Sequence, residues 1–221
     1  MAQQGRLYAV GAPRGRVARG WCRLALVLAV GLLWRPAAAA DDKDNKDNWW
    51  HKGWALTGFA GVLSVQESSD IWFNGDFKLT NSVEVGIAPS KQLWQYKDYF
   101  DLEFETQIVK HFGGEKNFEF NTPLMFRWNR FPWDDIIDTS IAFGDGLSIT
   151  NGTPALEKKQ YGGEHSGPLL NFVILEFTFA LPDHPEIEFV NRFQHRSGAF
   201  NLLNNTSDAS TSFVWGIKYR F

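Results

Sequence analysis

The sequence predicts an all-β protein, an eight-stranded antiparallel transmembrane β-barrel of the outer-membrane type. Three observations support this prediction: an export-type N-terminal segment, period-two alternation of apolar and polar residues, and a last strand that is aromatic up to the terminal Phe221. Aromatic residues make up 15% of the chain, with 19 Phe and 10 Trp. No run of about 18 apolar residues occurs, which excludes an ordinary membrane-spanning helix.

The N-terminal segment 1–40 is predicted to be a cleaved secretory signal peptide. It carries six Arg and no acidic residue, and its mostly apolar run Leu24–Trp34 is followed by Ala37–Ala40. A basic region, a short apolar region and a small-residue cleavage site, in that order, are typical of export signals, with cleavage here after Ala40. A buried helix is the alternative interpretation of the same apolar run.

Removal of this segment leaves a chain with an acidic balance. Loss of the six Arg from 22 basic residues leaves 16 against 25 acidic ones, a net charge of −9, which argues against nucleic acid as a partner. The only cysteine, Cys22, is lost too, so no thiol, disulfide or thiolate metal site remains. Residues 41–52 are predicted to be a flexible charged lead-in and residues 53–221 a single barrel domain.

Alternation with a period of two defines the strands of this barrel. In Phe100–Ile108 apolar residues occupy almost every even position, and Phe213–Phe221 repeats the pattern. Short connections at one end and longer loops at the other, such as 150–168, are typical of outer-membrane barrels. The eight predicted strands are Trp54–Val65, Asp76–Ala88, Tyr99–Lys110, Asn117–Trp128, Ile137–Ile149, Leu169–Ala180, Glu186–Ser197 and Ala209–Phe221.

The two faces of these strands differ in chemistry, since one is aromatic and the other ionisable. A soluble, lipocalin-like barrel would bury the aromatic face, whereas a membrane barrel turns it towards lipid. The export signal, the aromatic residues near strand ends and the aromatic last strand favour a barrel in the outer membrane of a Gram-negative bacterium. Eight strands enclose a lumen too narrow for a pore, so its charged side chains must pair. The predicted inward residues include Glu84, Asp101, Glu103, Glu105, Glu119, Arg127, Glu176, Glu188, Arg192, Lys218 and Arg220.

A candidate catalytic pair lies at the end of the seventh predicted strand. Because the mature N-terminus starts in the periplasm, odd-numbered strands run outward and this one ends at the outer surface. Parity places His195 and Ser197 on the lipid face, where an imidazole could take the proton of a hydroxyl that attacks an ester. Only a lipid reaches that face. The alternative is a non-catalytic structural or lipid-organising barrel in which both residues are polar groups at headgroup level.

An exported eight-stranded barrel with His-x-Ser at the outward end of its penultimate strand resembles the outer-membrane lipid A 3-O-deacylase family. The resemblance implies a serine esterase that acts on lipid A or another outer-leaflet lipid. It implies His195 as the base, Ser197 as the nucleophile and Asp208, eleven residues after Ser197, as the acid. The family usually has Asn directly after the Ser and Gly two positions further on, where this sequence has Gly198 and Phe200.

Other runs of the sequence resemble a wider set of exported barrels, often labelled deacylases or acyloxyacyl hydrolases. The aromatic last strand resembles the insertion signal of such barrels, which implies the barrel-assembly machinery as a partner. No spacing of His and Glu predicts a metal site, and no Gly-rich phosphate loop predicts a cofactor. His111 is predicted to pack at the rim. The shared runs are His111-Phe112-Gly113, Arg127-Trp128, Phe131-Pro132-Trp133-Asp134, Gly144-Asp145-Gly146-Leu147-Ser148, His195-Arg196-Ser197-Gly198 and Lys218-Tyr219-Arg220-Phe221.

Overall fold

The computed structural model describes residues 53–64, 78–161, 167–199, 203 and 209–221. The predicted signal peptide and lead-in lie outside these residues and stay predictions. Almost all of the described chain is β-strand, with one short helix between the sixth and seventh strand segments. The elements are β1 Trp54–Ser64, β2 Leu79–Tyr96, β3 Phe100–Glu105, β4 Gln107–Phe112, β5 Phe118–Trp128, β6 Asp138–Thr150, α1 Ala155–Tyr161, β7 Leu169–Leu181, β8 His184–Ser197 and β9 Thr211–Arg220.

The strand segments close into a ring of antiparallel neighbours. β1 pairs with both β2 and β9, and from β5 to β9 each segment pairs with the next along the chain. β3 and β4 both lie between β2 and β5, so they are two halves of one strand interrupted at Thr106. The prediction of an eight-stranded antiparallel barrel of the outer-membrane type is therefore confirmed, and every described strand has a neighbour on both sides.

Two prolines explain the interruption at Thr106. Pro89 of β2 and Pro123 of β5 lack the N–H that a central strand must donate. Pro89 instead accepts a hydrogen bond from the Thr106 N–H at 3.0 Å, and Pro123 lies between the parts of β5 that pair with β3 and with β4. The sequence predicts that this strand ends at Ala88. β2 instead continues to Tyr96, because Pro89, which lacks a donor, lies opposite the break at Thr106 in the neighbouring strand.

The predicted orientation of the side chains is confirmed. Phe104, Phe126 and Trp215 face outward and are 41%, 48% and 45% exposed. Phe193, also outward, packs edge-on against Phe213 with ring centroids 5.5 Å apart. The inward residues Glu103, Arg127, Arg192 and Lys218 are buried. Among the described residues, no helix is both long enough and apolar enough to cross a membrane.

The lumen is filled by ion pairs centred on Glu176. Its Oε1 accepts hydrogen bonds from Arg127 Nη2 at 2.5 Å and Lys218 Nζ at 2.6 Å, and its Oε2 accepts one from Arg192 Nε at 2.5 Å. Three cations surround one carboxylate, so further carboxylates are required for neutrality.

Three more carboxylates supply that balance. Glu105 binds the Arg192 guanidinium with both oxygens, at 3.0 and 2.8 Å. Glu103 accepts from Arg127 Nη2 at 2.9 Å and from Arg220 Nη1 at 2.8 Å, and Arg220 also binds Glu188. The four basic residues and the four carboxylates form one neutral cluster, which we call the lumen network. The prediction that Arg127 and Arg192 each contact an inward carboxylate is confirmed.

Candidate active site

The candidate pair projects from β8 at the end where this strand finishes, which is the end predicted to lie at the outer surface. Burial alternates along β8, with Gln194 and Arg196 buried inside and His195 and Ser197 half-buried on the outward face. This alternation follows from the pleat of a strand, whose successive side chains point to opposite faces. The structure therefore places His195 and Ser197 on the same, lipid-facing side of the barrel.

The His195 ring contacts the neighbouring strand. His195 pairs with Thr211 of β9, and its Nδ1 lies 2.9 Å from Thr211 Oγ1, a fully buried side chain. Among the described residues, no hydrogen bond joins the His195 ring to the Ser197 hydroxyl. In the free protein the imidazole is thus positioned by a threonine that the sequence analysis does not identify, because only the register of β8 and β9 brings the two together.

The described residues of the loop after Ser197 include Gly198, Ala199 and Leu203. Gly198 is buried, Ala199 has a left-handed backbone with φ of 47°, and the Leu203 N–H donates to Gly198 O at 2.9 Å. Asp208, the predicted acid, lies outside the described residues, so its role stays a prediction.

Helix α1 is attached to the same end of the barrel as the candidate pair. The Glu115 carboxylate, from the turn between β4 and β5, accepts the N–H of Ala155 at 3.0 Å and that of Leu156. Glu157 accepts from Arg196 Nη1 at 2.5 Å and from Ser210 Oγ at 2.9 Å. Burial raises the pKa of the Glu157 carboxyl, although Arg196 and Ser210 act in the opposite direction.

These contacts tie α1 to the candidate pair, since Arg196 lies between His195 and Ser197 in the chain. The sequence predicts no helix here, because a helix of 7 residues is too short to show an amphipathic period. Its first N–H groups are also satisfied by a residue 40 positions away in the chain, which no local capping pattern reveals.

His111 lies next to the end of β4, at the predicted rim position, and its side chain is buried inside the barrel. Its Nε2 is 3.0 Å from Glu119 Oε2, and its Nδ1 is 3.7 Å from Glu84 Oε2. The other oxygen of the Glu84 carboxylate accepts a hydrogen bond from Ser212 Oγ. Strand parity explains the inward direction of this side chain, since His111 shares the inward face of β4 with Gln107 and Val109. A cavity of only about 10 Å³ lies between this cluster and β8, enough for about one water molecule and too small for a substrate.

A larger cavity of about 310 Å³ opens at the opposite end of the barrel. Asp101, Glu188 and Arg220 contribute to its polar wall, and its described lining contains no histidine or cysteine. The small cavity has no room for a substrate, and the described lining of the larger one holds no imidazole, so the outward pair on β8 remains the candidate.

Comparison with known proteins identifies the architecture. The chain is similar to the solved structure of the outer membrane enzyme PagL, with a TM-score of 0.52, 13% identity, and coverage of 76% of this chain and 99% of that one. Neisserial surface protein A gives a TM-score of 0.48 at 8% identity, covering 76% and 96%. Ail of Yersinia pestis, in complex with the heparin analogue sucrose octasulfate, gives 0.35 at 10% identity, covering 77% and 99%.

No family model matches the chain, and no curated protein matches it either. At 13% identity, the likeness to the PagL structure shows the fold alone. The chain has the fold of an outer-membrane β-barrel, and what it can catalyse or bind depends on its own residues.

Proposed function

We propose that this protein is an exported outer-membrane serine esterase that removes an ester-linked acyl chain from lipid A. The observation that carries the proposal is that His195 and Ser197 project together from the lipid-facing side of β8 at its outer end. A hydroxyl and an imidazole at this position meet the acyl region of an outer-leaflet lipid. The resemblance of the His-x-Ser motif to the lipid A 3-O-deacylase family supports the same substrate.

In the proposed reaction Ser197 is the nucleophile and His195 the general base. In the tautomer that donates Nδ1–H to Thr211 Oγ1, Nε2 carries the lone pair that a base needs. Nε2 takes the proton of Ser197 as Oγ bonds to the ester carbonyl carbon, and the protonated ring then gives that proton to the departing sugar oxygen. Water hydrolyses the acyl-enzyme and regenerates the serine. Asp208 is proposed as the acid that stabilises the imidazolium.

The location of the protein is part of the proposal. The predicted signal peptide directs export, and the outward face of the barrel exposes large apolar side chains such as Val85, Phe120, Phe143 and Ile217. The inward face carries the lumen network. This arrangement is stable only where apolar solvent surrounds the barrel, which supports the outer membrane as its environment.

A second candidate function is a non-catalytic, structural or lipid-organising barrel. The observation that favours it is that the His195 ring contacts Thr211 in the free protein and forms no hydrogen bond with Ser197 within the described residues. Catalytic hydrogen bonds are often absent in free enzymes and form when substrate binds, so the esterase remains our conclusion.

Mass spectrometry of lipid A from cells separates the two functions. Cells that produce the wild-type protein should contain lipid A that has lost the mass of one acyl chain. Cells that produce Ser197→Ala at the same level in the outer membrane should contain the same lipid A as cells without the protein. If the wild type leaves lipid A unchanged as well, the esterase proposal is wrong and the non-catalytic barrel replaces it.

A further inference from the structure

The outward face of β6 carries one charged residue in an apolar row. Phe143, Leu147 and Ile149 are exposed apolar side chains on this face, and Asp145 is exposed among them. Asp145 Oδ1 accepts a hydrogen bond from Asn171 Nδ2 of β7 at 2.7 Å, and the same nitrogen is 3.1 Å from Gly146 O. A carboxylate on the lipid face is costly, so its presence requires an explanation.

The strand register connects this pair to the candidate active site. Asn171 is the direct partner of Ser197, and Val173 pairs with Asp145 on one side and with His195 on the other. Side chains directly opposite each other on antiparallel strands have Cβ atoms about 4.5–5.5 Å apart. Asn171 therefore lies between Asp145 and Ser197. One continuous region, which we call the outer polar patch, crosses four strands and consists of Asp145, Asn171, Ser197, His195 and Thr211.

The chemistry of Asp145 fixes the orientation of the Asn171 amide. The Gly146 backbone carbonyl can only accept a hydrogen bond, so the NH₂ of Asn171 faces β6, where both Gly146 O and Asp145 Oδ1 accept from it. The carbonyl Oδ1 of Asn171 then faces away from β6 as an acceptor. Gly146 holds this arrangement, because a Cβ there would lie 2.2 Å from Thr122 O and would force β6 away from β5.

We propose that Asn171, positioned by Asp145, determines which lipids bind beside Ser197. Its fixed carbonyl accepts a hydrogen bond from an O–H or N–H group. Glycolipids with hydroxylated or amide-linked acyl chains have such a group close to their ester bonds. Phosphatidylcholine has no such donor, and its ester region has only acceptors that the Asn171 carbonyl repels. The inference rests on the proposed function for the location of the site in the outer leaflet, but binding does not require that Ser197 reacts.

Lipid binding to the purified, signal-free barrel in detergent tests this role. Native mass spectrometry would compare lipid A with phosphatidylcholine, in the Ser197→Ala background so that no lipid is consumed. Asn171→Leu should weaken lipid A binding about tenfold, the effect of one lost hydrogen bond to a well-placed acceptor, and should leave phosphatidylcholine binding unchanged. Asn81→Leu is the matched control, because Asn81 is exposed on the outward face of β2, on the opposite side of the ring.

The results separate this inference from the proposed function. Equal lipid A binding by the Asn171→Leu and Asn81→Leu variants would overturn the inference, and so would equal weakening of both lipids by Asn171→Leu. Where Asn171→Leu does not fold, Asp145→Asn preserves the size of the side chain but frees the Asn171 amide to rotate. It should weaken lipid A binding several-fold, and an unchanged affinity would contradict the proposal. Release of acyl chains by the wild type, measured separately, decides the esterase alone.

Discussion

The lumen network and the outer polar patch both consist of polar side chains, but the two regions serve different purposes. Inside the barrel, Glu176 receives three cations, and every basic residue of the lumen network reaches at least one carboxylate. On the outer face, Asp145, Asn171 and His195 each make a defined contact, but they do so in a row that remains open towards lipid. The same alternation of residues thus builds a closed structural core and an accessible polar surface.

This difference shows where function belongs in a narrow barrel. In this neutral cluster every charged side chain is paired with an opposite charge inside the barrel, and these pairs hold the eight strands together. Polar groups on the lipid face gain little for stability and are retained where they act on lipid. The comparison therefore makes opposite predictions for the two regions, with large stability effects inside and large functional effects outside.

The largest stability effect is expected for Arg192→Leu in the lumen network. Among the described residues, the change leaves the buried Glu105 carboxylate with only the Gln107 side chain as a donor, so the barrel should lose about 3–5 kcal/mol of unfolding free energy. Export should be unaffected. Thermal unfolding in detergent, followed by the mobility shift of the folded barrel on gels, measures the loss.

Neutralising the orphaned partner should restore part of that stability. Glu105→Gln added to Arg192→Leu removes the uncompensated buried charge, so the double variant should unfold at a higher temperature than Arg192→Leu alone. If Arg192→Leu is as heat-resistant as the wild type, the network is solvated and dispensable, and the comparison with the outer patch loses its basis.

A smaller and local effect is expected where α1 joins the barrel. Glu157→Gln weakens the contact with Arg196 and should release α1 from the barrel at a cost of about 1–3 kcal/mol. Trypsin should then cut several-fold faster after the exposed residues Lys158 and Lys159, while the barrel stays folded. Glu186→Gln, which alters an exposed pair with His184, is the control and should change nothing. Equal cleavage of both variants would show that α1 does not depend on Glu157.

The smallest stability effect is expected for Ser197→Ala in the outer patch. The hydroxyl has no hydrogen bond to a described residue and lies half-buried on the lipid face, so the unfolding free energy should change by less than about 0.5 kcal/mol. The same detergent unfolding assay measures it. A loss comparable with that of Arg192→Leu would mean that Ser197 is a structural residue.

Much of the fold follows from the sequence because the period of two determines which face each side chain takes. The outward position of Phe126, the inward position of Arg127 and the pairing of Arg192 are all consequences of that period. The break at Thr106 and the extension of β2 are not, because they depend on which prolines become neighbours across the sheet. The short α1 helix shows no periodic signal.

The candidate site is less completely encoded in local sequence. His195 and Ser197 share a face because they are two residues apart on one strand, which the sequence predicts directly. Thr211 and Asn171 join them only through the registers of β8 with β9 and with β7, and register is a property of the whole ring. Nothing in the spacing of Gly144-Asp145-Gly146 indicates that its carboxylate orients an amide beside Ser197.

The release of fatty acid from purified lipid A by the protein in detergent tests the central claim most directly. The account predicts that the wild type releases one acyl chain, that Ser197→Ala and His195→Ala abolish this release to a similar extent, and that Asp208→Ala reduces it less, because an orienting group contributes less than the nucleophile or base. All three variants should remain folded. No release by the folded wild-type protein over hours, or equal release by all four proteins, would contradict the account and leave only the barrel.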